Sequence, residues 1–266
     1  MTRSTSVSRF VITAVVCLFA FTATTCTHPP ESRHIYHAPE CIYVPDPPEM
    51  TPEDPFEMDH DSDGLTPQER LDFIRRGVAA TIEVRVRRYS AEKGFTFHSG
   101  TGVFINEHQA LTAEHVVHDT VDRIAVLRRL VSGGISIGFL RWERVTVEHA
   151  NEGFDVALLN IDCPVDMAEP LPIARGWVPR TDELVWQFGN VTGWSRGRVV
   201  RRIPNGIPTF GGMVQTRQLG QCGDSGGPVV NTNGELVGLT LRGCPDEGRQ
   251  FFVTIDNALR AVGLAP

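Results

Sequence analysis

The sequence predicts an all-β body of antiparallel strands with a short helix at its C-terminal end. Three observations carry that reading. Apolar and polar residues alternate over short stretches, as in Ile82-Glu83-Val84-Arg85-Val86-Arg87, which puts Ile82, Val84 and Val86 on one face. Glycine (25 residues) and proline (18) punctuate these stretches, as turns between short strands require. No long helical pattern falls between them, which argues against the βαβ units of a parallel sheet. Further strands are expected at 101–106, 124–130, 135–147, 154–161, 183–188, 198–203, 236–241 and 251–254.

Each end of this body carries a helical signal. Near Pro67 to Arg76, Thr66 can cap a helix that Pro67 starts, and Glu69 completes a capping box. At the other end Ile255, Ala258, Leu259 and Val262 recur at helical spacing, so one face packs onto the body. With 41% hydrophobic and 21% charged residues, a substantial core can form, which disfavours wholesale disorder and a multi-span membrane protein.

The formal net charge of -7 is unevenly placed and divides the chain. Residues 1–26 carry Arg3 and Arg9 and no acid, whereas residues 27–67 carry Arg33 against ten acids. The rest holds 22 basic and 22 acidic residues, so no broad affinity for nucleic acid is expected. The first segment resembles an export signal: its arginines precede an apolar stretch from Phe10 to Phe21, shorter than the roughly 20 residues of a spanning helix. Ala23-Thr24-Thr25-Cys26 resembles a bacterial lipobox, with Ala23 in place of the usual leucine and Thr25 in place of Gly or Ala. Lipidation of Cys26 with membrane attachment, simple cleavage and a retained anchor all stay open. Each gives an exported protein: periplasmic, a cell-surface lipoprotein or secreted.

Residues 27–66, rich in proline and acid and without periodicity, form an expected linker or stalk, because so little apolar surface cannot offset ordering entropy. Two groups within it have metal-ligand spacing. His34, His37 and Cys41 make a weak zinc pattern that solvated linker residues explain better. The run Asp59-His60-Asp61-Ser62-Asp63-Gly64 can wrap calcium, but the twelfth position of an EF-hand loop, normally Glu, is Arg70. The helix cap at Thr66 competes with that reading. No metal and no other cofactor is expected.

The chemistry concentrates in Gly223-Asp224-Ser225-Gly226-Gly227-Pro228. A serine flanked by glycines can sit in a tight turn with its oxygen exposed, and the amides of Gly223 and Ser225 can converge on a developing oxyanion. The string also satisfies the G-x-S-x-G pattern of the α/β-hydrolase elbow, which needs a histidine later in the chain. The last histidine is His149, so that fold fails. Upstream, Leu111-Thr112-Ala113-Glu114-His115-Val116-Val117 sets a histidine just after a strand. Phe154-Asp155-Val156-Ala157-Leu158-Leu159 sets a carboxylate in an apolar run, where it is costly unless paired; a histidine held in one tautomer is a suitable partner. His115 and His118 also form an H-x-x-H pair, with no third ligand at a familiar spacing.

With His115, Asp155 and Ser225 in that order, the chain over roughly 78–266 resembles the trypsin-like, or chymotrypsin-fold, serine proteases. The resemblance implies two antiparallel six-stranded β-barrels with the three residues in the cleft between them. Ser225 would attack the scissile carbonyl, His115 would shuttle its proton and Asp155 would orient the imidazolium, with Gly223 and Ser225 forming the oxyanion hole. It places Leu219, Thr240, Arg242 and Gly243 around the substrate pocket. Leu219 stands where an Asp selects Arg or Lys, so an apolar or small side chain is expected before the cut, and Arg242 leaves an acidic one open. A Cys222–Cys244 bridge is implied, and Cys41 with Cys163 is expected to tie the stalk to the body.

Three departures from the family matter. Val116 replaces the cysteine of a local bridge, and Glu114 replaces a small residue beside the histidine. No Ile-Val-type activation end precedes Ile82, so Asp224 must find partners elsewhere, as in the bacterial glutamyl endopeptidases and the high-temperature-requirement proteases. The latter usually carry PDZ domains, for which no room is expected here. The chain thus divides into a signal (1–26), a linker (27–66) and a protease domain (67–266). The expected activity is that of a monomeric endopeptidase acting on protein or peptide substrates. The competing reading is a catalytically silent protease-fold binding or adhesion module on the cell surface.

Overall fold

The computed structural model describes residues 64–264 apart from 121–123, 133–134, 162–168, 204–211, 218–219 and 245–247, and only the backbone of 124–132, 135–144 and Cys244. Residues 1–63, which hold the segment expected as a signal and most of the expected linker, with Cys26, His34, His37, Cys41 and the run from Asp59 to Asp63, lie outside the described residues, as do Cys163 and Leu219.

Helix α1 (Pro67–Ala79) starts as its residues dictate: Glu69 N–H donates to the Thr66 hydroxyl, and Thr66 N–H donates to the Glu69 carboxylate at 2.8 Å. The helix packs through Phe73, whose ring centroid lies 4.9 Å from that of Trp186 and 6.1 Å from that of Phe188. Gly77 lets it approach, since a Cβ there would come within 2.2 Å of Phe188. Phe73→Ala is therefore expected to destabilise the body by about 3–5 kcal/mol, read from the urea midpoint at unchanged m value.

Among the described residues twelve strands follow, all paired antiparallel. β1 (Thr81–Ser90), β2 (Gly94–Phe104), β3 (Gln109–Thr112), β4 (Ile124–Ser132), β5 (Ile135–Asn151) and β6 (Val156–Ile161) close a barrel in the order β1-β2-β3-β6-β5-β4. β7 (Leu184–Gly189), β8 (Gly193–Ile203), β9 (Met213–Arg217), β10 (Pro228–Asn231), β11 (Leu236–Cys244) and β12 (Arg249–Thr254) close a second as β10-β11-β12-β9-β8-β7. Closure leaves no long exposed edge in either sheet. A one-turn helix, α2 (Glu114–Val117), follows β3, and α3 (Ile255–Ala261) ends the body with Ile255, Ala258 and Leu259 buried against it.

The two-barrel architecture is the expected one, with local differences. Ile82, Val84 and Val86 are buried as their alternation predicts, but Glu83 between them is buried too. It lines a small cleft with Val78, Phe188, Gly189 and Asn190, so both faces of β1 are covered there, and its carboxylate accepts from Arg85 Nε at 2.6 Å. β9 and β10 escape the sequence pattern because each is short; β9 follows a Gly- and Pro-rich stretch and β10 the glycine-rich serine turn, with proline tolerated as its first residue. The strand expected from Phe154 begins only at Val156, which leaves Asp155 in the preceding turn.

Candidate active site

β3 delivers the chain to Ala113, and the single turn of α2 then presents His115. Arg88 holds this turn from β1: its guanidinium donates to the carbonyls of His115 and, at 3.2 Å, Val116. Cationic donors suit the carbonyl end of a helical turn. Nothing in the alternation of β1 marks Arg88, because its partners lie across the barrel.

Asp155 adopts φ +53°, a left-handed conformation that Asp tolerates better than most residues. Its side chain is only 1% exposed. His115 Nδ1 lies 2.8 Å from Oδ2 and 3.0 Å from Oδ1, and the His115 amide donates to Oδ1 at 2.9 Å. One carboxylate thus fixes both the ring and the backbone of His115. Nε2 is left as the nitrogen available to a reacting group, on a side chain 34% exposed.

In the serine turn, Gly223 (φ +105°) and Gly226 (φ +86°) occupy backbone conformations that favour glycine. A Cβ on Gly226 would also lie 2.1 Å from the Thr101 carbonyl oxygen. The amides of Gly223 and Ser225 donate to no acceptor among the described residues. Ser225 Oγ donates to the Leu241 carbonyl at 3.0 Å rather than to His115. The next residue, Arg242, brings Nε to 3.9 Å from Asp155 Oδ2. The nucleophile candidate and the His115–Asp155 pair therefore border adjacent residues of β11, Leu241 and Arg242.

Asp224 is wholly buried and finds its partners close to the serine turn and in the second barrel. Its carboxylate accepts from the amides of Val191 (2.9 Å), Thr192 (3.1 Å) and Gln221 (2.8 Å) and from the Thr192 hydroxyl. The turn between β7 and β8 supplies three of these donors. Gly189 permits the contact, since a Cβ there would lie 2.2 Å from Asp224 Oδ1.

The residues expected around the pocket have distinct surroundings. Thr240 is buried and its backbone holds the serine turn: Gly226 N–H donates to its carbonyl at 2.6 Å, and its own N–H donates to Gly227 O at 2.8 Å. Arg242 is directed at Asp155, while Gly243 is exposed on β11. Cys222 is a free, exposed thiol, and the side chain of Cys244, its expected partner, lies outside the described residues. Cys222 directly precedes the left-handed Gly223, in a turn where its side chain reaches solvent.

Glu114 is turned away from the base beside it. Its Oε1 lies 2.7 Å from His118 Nδ1, and Asp119 Oδ2 lies 3.2 Å from His118 Nε2. The hydrogen bond and charge of Glu114, supported by Asp119 and Glu152, raise the His118 pKa above its ordinary value. The i,i+4 spacing of Glu114 and His118 is the sequence signal for this pair. Glu114, His118 and Glu152 also bring three potential ligand atoms within 4.8 Å of one another, which the H-x-x-H spacing does not show. In an NMR titration the His118 midpoint is expected to lie above that of an ordinary histidine and to fall in Glu114→Gln. Because the folded pKa is raised, the stability that this pair contributes is complete below the unfolded value near 6.5 and disappears as pH rises through the folded value.

A family model described as a trypsin-like peptidase domain matches residues 100–239. Among curated proteins, the chain is 27% identical over 216 residues to a PDZ domain-containing protein of Schizosaccharomyces pombe, covering 71% of this chain and 20% of that protein. It is 25% identical over 227 residues to the pro-apoptotic serine protease NMA111 of Eremothecium gossypii, covering 76% and 22% respectively. The chain thus spans about a fifth of the length of these relatives. Among solved structures, an HtrA-type protease with a decapeptide aligns at a TM-score of 0.59 and 19% identity, over 71% of this chain and 64% of that one; this is a likeness of fold.

Proposed function

The chain belongs to the trypsin-like peptidase family, and on that premise we propose that it is a serine endopeptidase with Ser225 as its nucleophile. The observation that carries the reading is the grip of the buried Asp155 carboxylate on both the ring and the amide of His115, which leaves Nε2 to act. The reaction requires the Ser225 hydroxyl to leave the Leu241 carbonyl and donate to His115 instead. As Oγ adds to the scissile carbonyl carbon, Nε2 takes the hydroxyl proton and Asp155 stabilises the imidazolium. The amides of Gly223 and Ser225 donate to the oxyanion. Collapse of the tetrahedral species breaks the C–N bond, and His115 returns the proton to the leaving amine. Water then hydrolyses the acyl-enzyme through the same groups. Substrates are proteins or peptides, in keeping with the decapeptide on the HtrA-type neighbour.

The second reading, a silent binding or adhesion module, would leave the Ser225 hydroxyl on the Leu241 carbonyl, to which it donates in this structure. A fluorophosphonate probe separates the two. The protease reading expects covalent labelling of the folded chain that Ser225→Ala abolishes; a folded, unlabelled chain would establish the silent module. On specificity, an apolar or small residue before the cut is favoured, with an acidic one disfavoured by the engagement of Arg242 with Asp155. Cleavage of a peptide library mainly after Lys or Arg would sink that assignment. Residues 1–26 are read as an export signal, with Cys26 as the acylation site; metabolic labelling with palmitate, lost in Cys26→Ala, tests it.

A further inference from the structure

Ser225 belongs to the second barrel and His115 to the first, so their register depends on contacts across the interface. One fully buried hydroxyl, that of Thr101 on β2, lies at the junction. Thr101 Oγ1 donates to the Gly223 carbonyl at 2.7 Å and accepts the Asn190 amide at 2.9 Å. Its backbone N–H donates to the Ser225 carbonyl at 2.8 Å, and its carbonyl accepts the Thr112 hydroxyl at 2.6 Å. A threonine hydroxyl has one hydrogen. Because Asn190 brings its own proton, that hydrogen is committed to Gly223.

The consequence follows from the order of the peptide planes. The oxyanion N–H of Gly223 belongs to the Cys222–Gly223 peptide, and that of Ser225 to the Asp224–Ser225 peptide. Between them lies the Gly223–Asp224 peptide. Thr101 holds its carbonyl, while its N–H donates to the Gln221 carbonyl at 3.0 Å. Pinning this middle plane restricts rotation at both flanking α-carbons, and therefore the direction of both oxyanion donors. Glycine at 223 makes such pinning necessary, since its backbone has the widest choice of conformations. Through Asn190 the same hydroxyl is tied to the turn that binds Asp224. Through Thr112 its carbonyl is tied to the strand that leads into α2 and His115.

We propose that Thr101 is a positioning residue, a buried hydroxyl of the first barrel that orients the oxyanion amides of the second and registers them against His115. This rests on the protease reading. Phosphonylation by a fluorophosphonate tests it: an O–P bond forms at Ser225, the P–F bond breaks, fluoride leaves and the hydroxyl proton passes to His115. The phosphoryl oxygen needs the same two amides as a peptide oxyanion. Thr101→Val keeps the shape and removes the hydroxyl. Its maximal inactivation rate is expected to fall about 10²-fold, the scale of an ångström-level misplacement, with little change in the probe concentration giving half-maximal rate. Thr101→Ser is expected to recover most of the loss, with the pH profile of the unmodified chain. Thr101→Ala serves if the valine variant does not fold.

An equal rate in the unmodified chain and a folded hydroxyl-free variant would overturn the assignment to Thr101 while leaving the protease reading intact. A serine variant as slow as the valine variant would overturn it too, by assigning the loss to methyl packing. Absence of labelling in the unmodified chain would overturn the protease reading and this one with it.

Discussion

Asp155→Asn is expected to lower turnover of a peptide substrate by about 10⁴-fold while leaving the fold intact. The carboxylate is buried and accepts from two N–H groups of His115. An amide of the same shape has a single acceptor oxygen. If that oxygen keeps the His115 backbone N–H, the amide NH₂ faces Nδ1. The imidazole then adopts the tautomer with its proton on Nε2, where it cannot accept from Ser225. The carboxylate charge that stabilises the imidazolium is lost as well. The loss should therefore appear in kcat, with circular dichroism and the thermal midpoint little changed. A fall of less than about tenfold would show that His115 acts without this partner.

Asp224→Ala is expected to damage both stability and activity. Four donors converge on this carboxylate, from Val191, Thr192 twice and Gln221. Each buried donor left without an acceptor costs about 1–3 kcal/mol, so a loss of at least about 3 kcal/mol is expected in urea unfolding. Labelling of Ser225 should fall by about 10²-fold or more in protein that remains folded, because the peptide bearing the Ser225 oxyanion amide starts at this residue. Unchanged labelling would mean that the carboxylate and the turn between β7 and β8 are dispensable for the serine turn.

The parts legible in the sequence share one property: their cause lies within a few residues. Thr66 and Glu69 meet across one helical turn, and Ile82, Val84 and Val86 declare a buried face by alternation. Gly223 and Gly226 mark the conformations that the serine turn requires. Asp155 is conspicuous because a carboxylate among Phe154, Val156 and Leu158 needs a partner. By contrast β9 and β10 are too short for periodicity to distinguish them from the glycine-rich segments they follow. The pairing of Cys222 is not legible either, because cysteines near the right positions do not settle side-chain direction; Cys222 reaches solvent as a free thiol.

By itself, the sequence determined an antiparallel β body with a capped helix before it and a helix behind it, the order His115, Asp155, Ser225, and the absence of any histidine after the serine. These follow from periodicity, capping and motif chemistry, all of them local. Only the tertiary structure decided that Asp224 is held by Val191, Thr192 and Gln221, that Arg88 grips the carbonyls of α2, and that Arg242 faces Asp155. Most of these contacts join segments distant in sequence, and all depend on side-chain direction. Their partners are chosen by strand register and barrel closure, which no single stretch of chain contains.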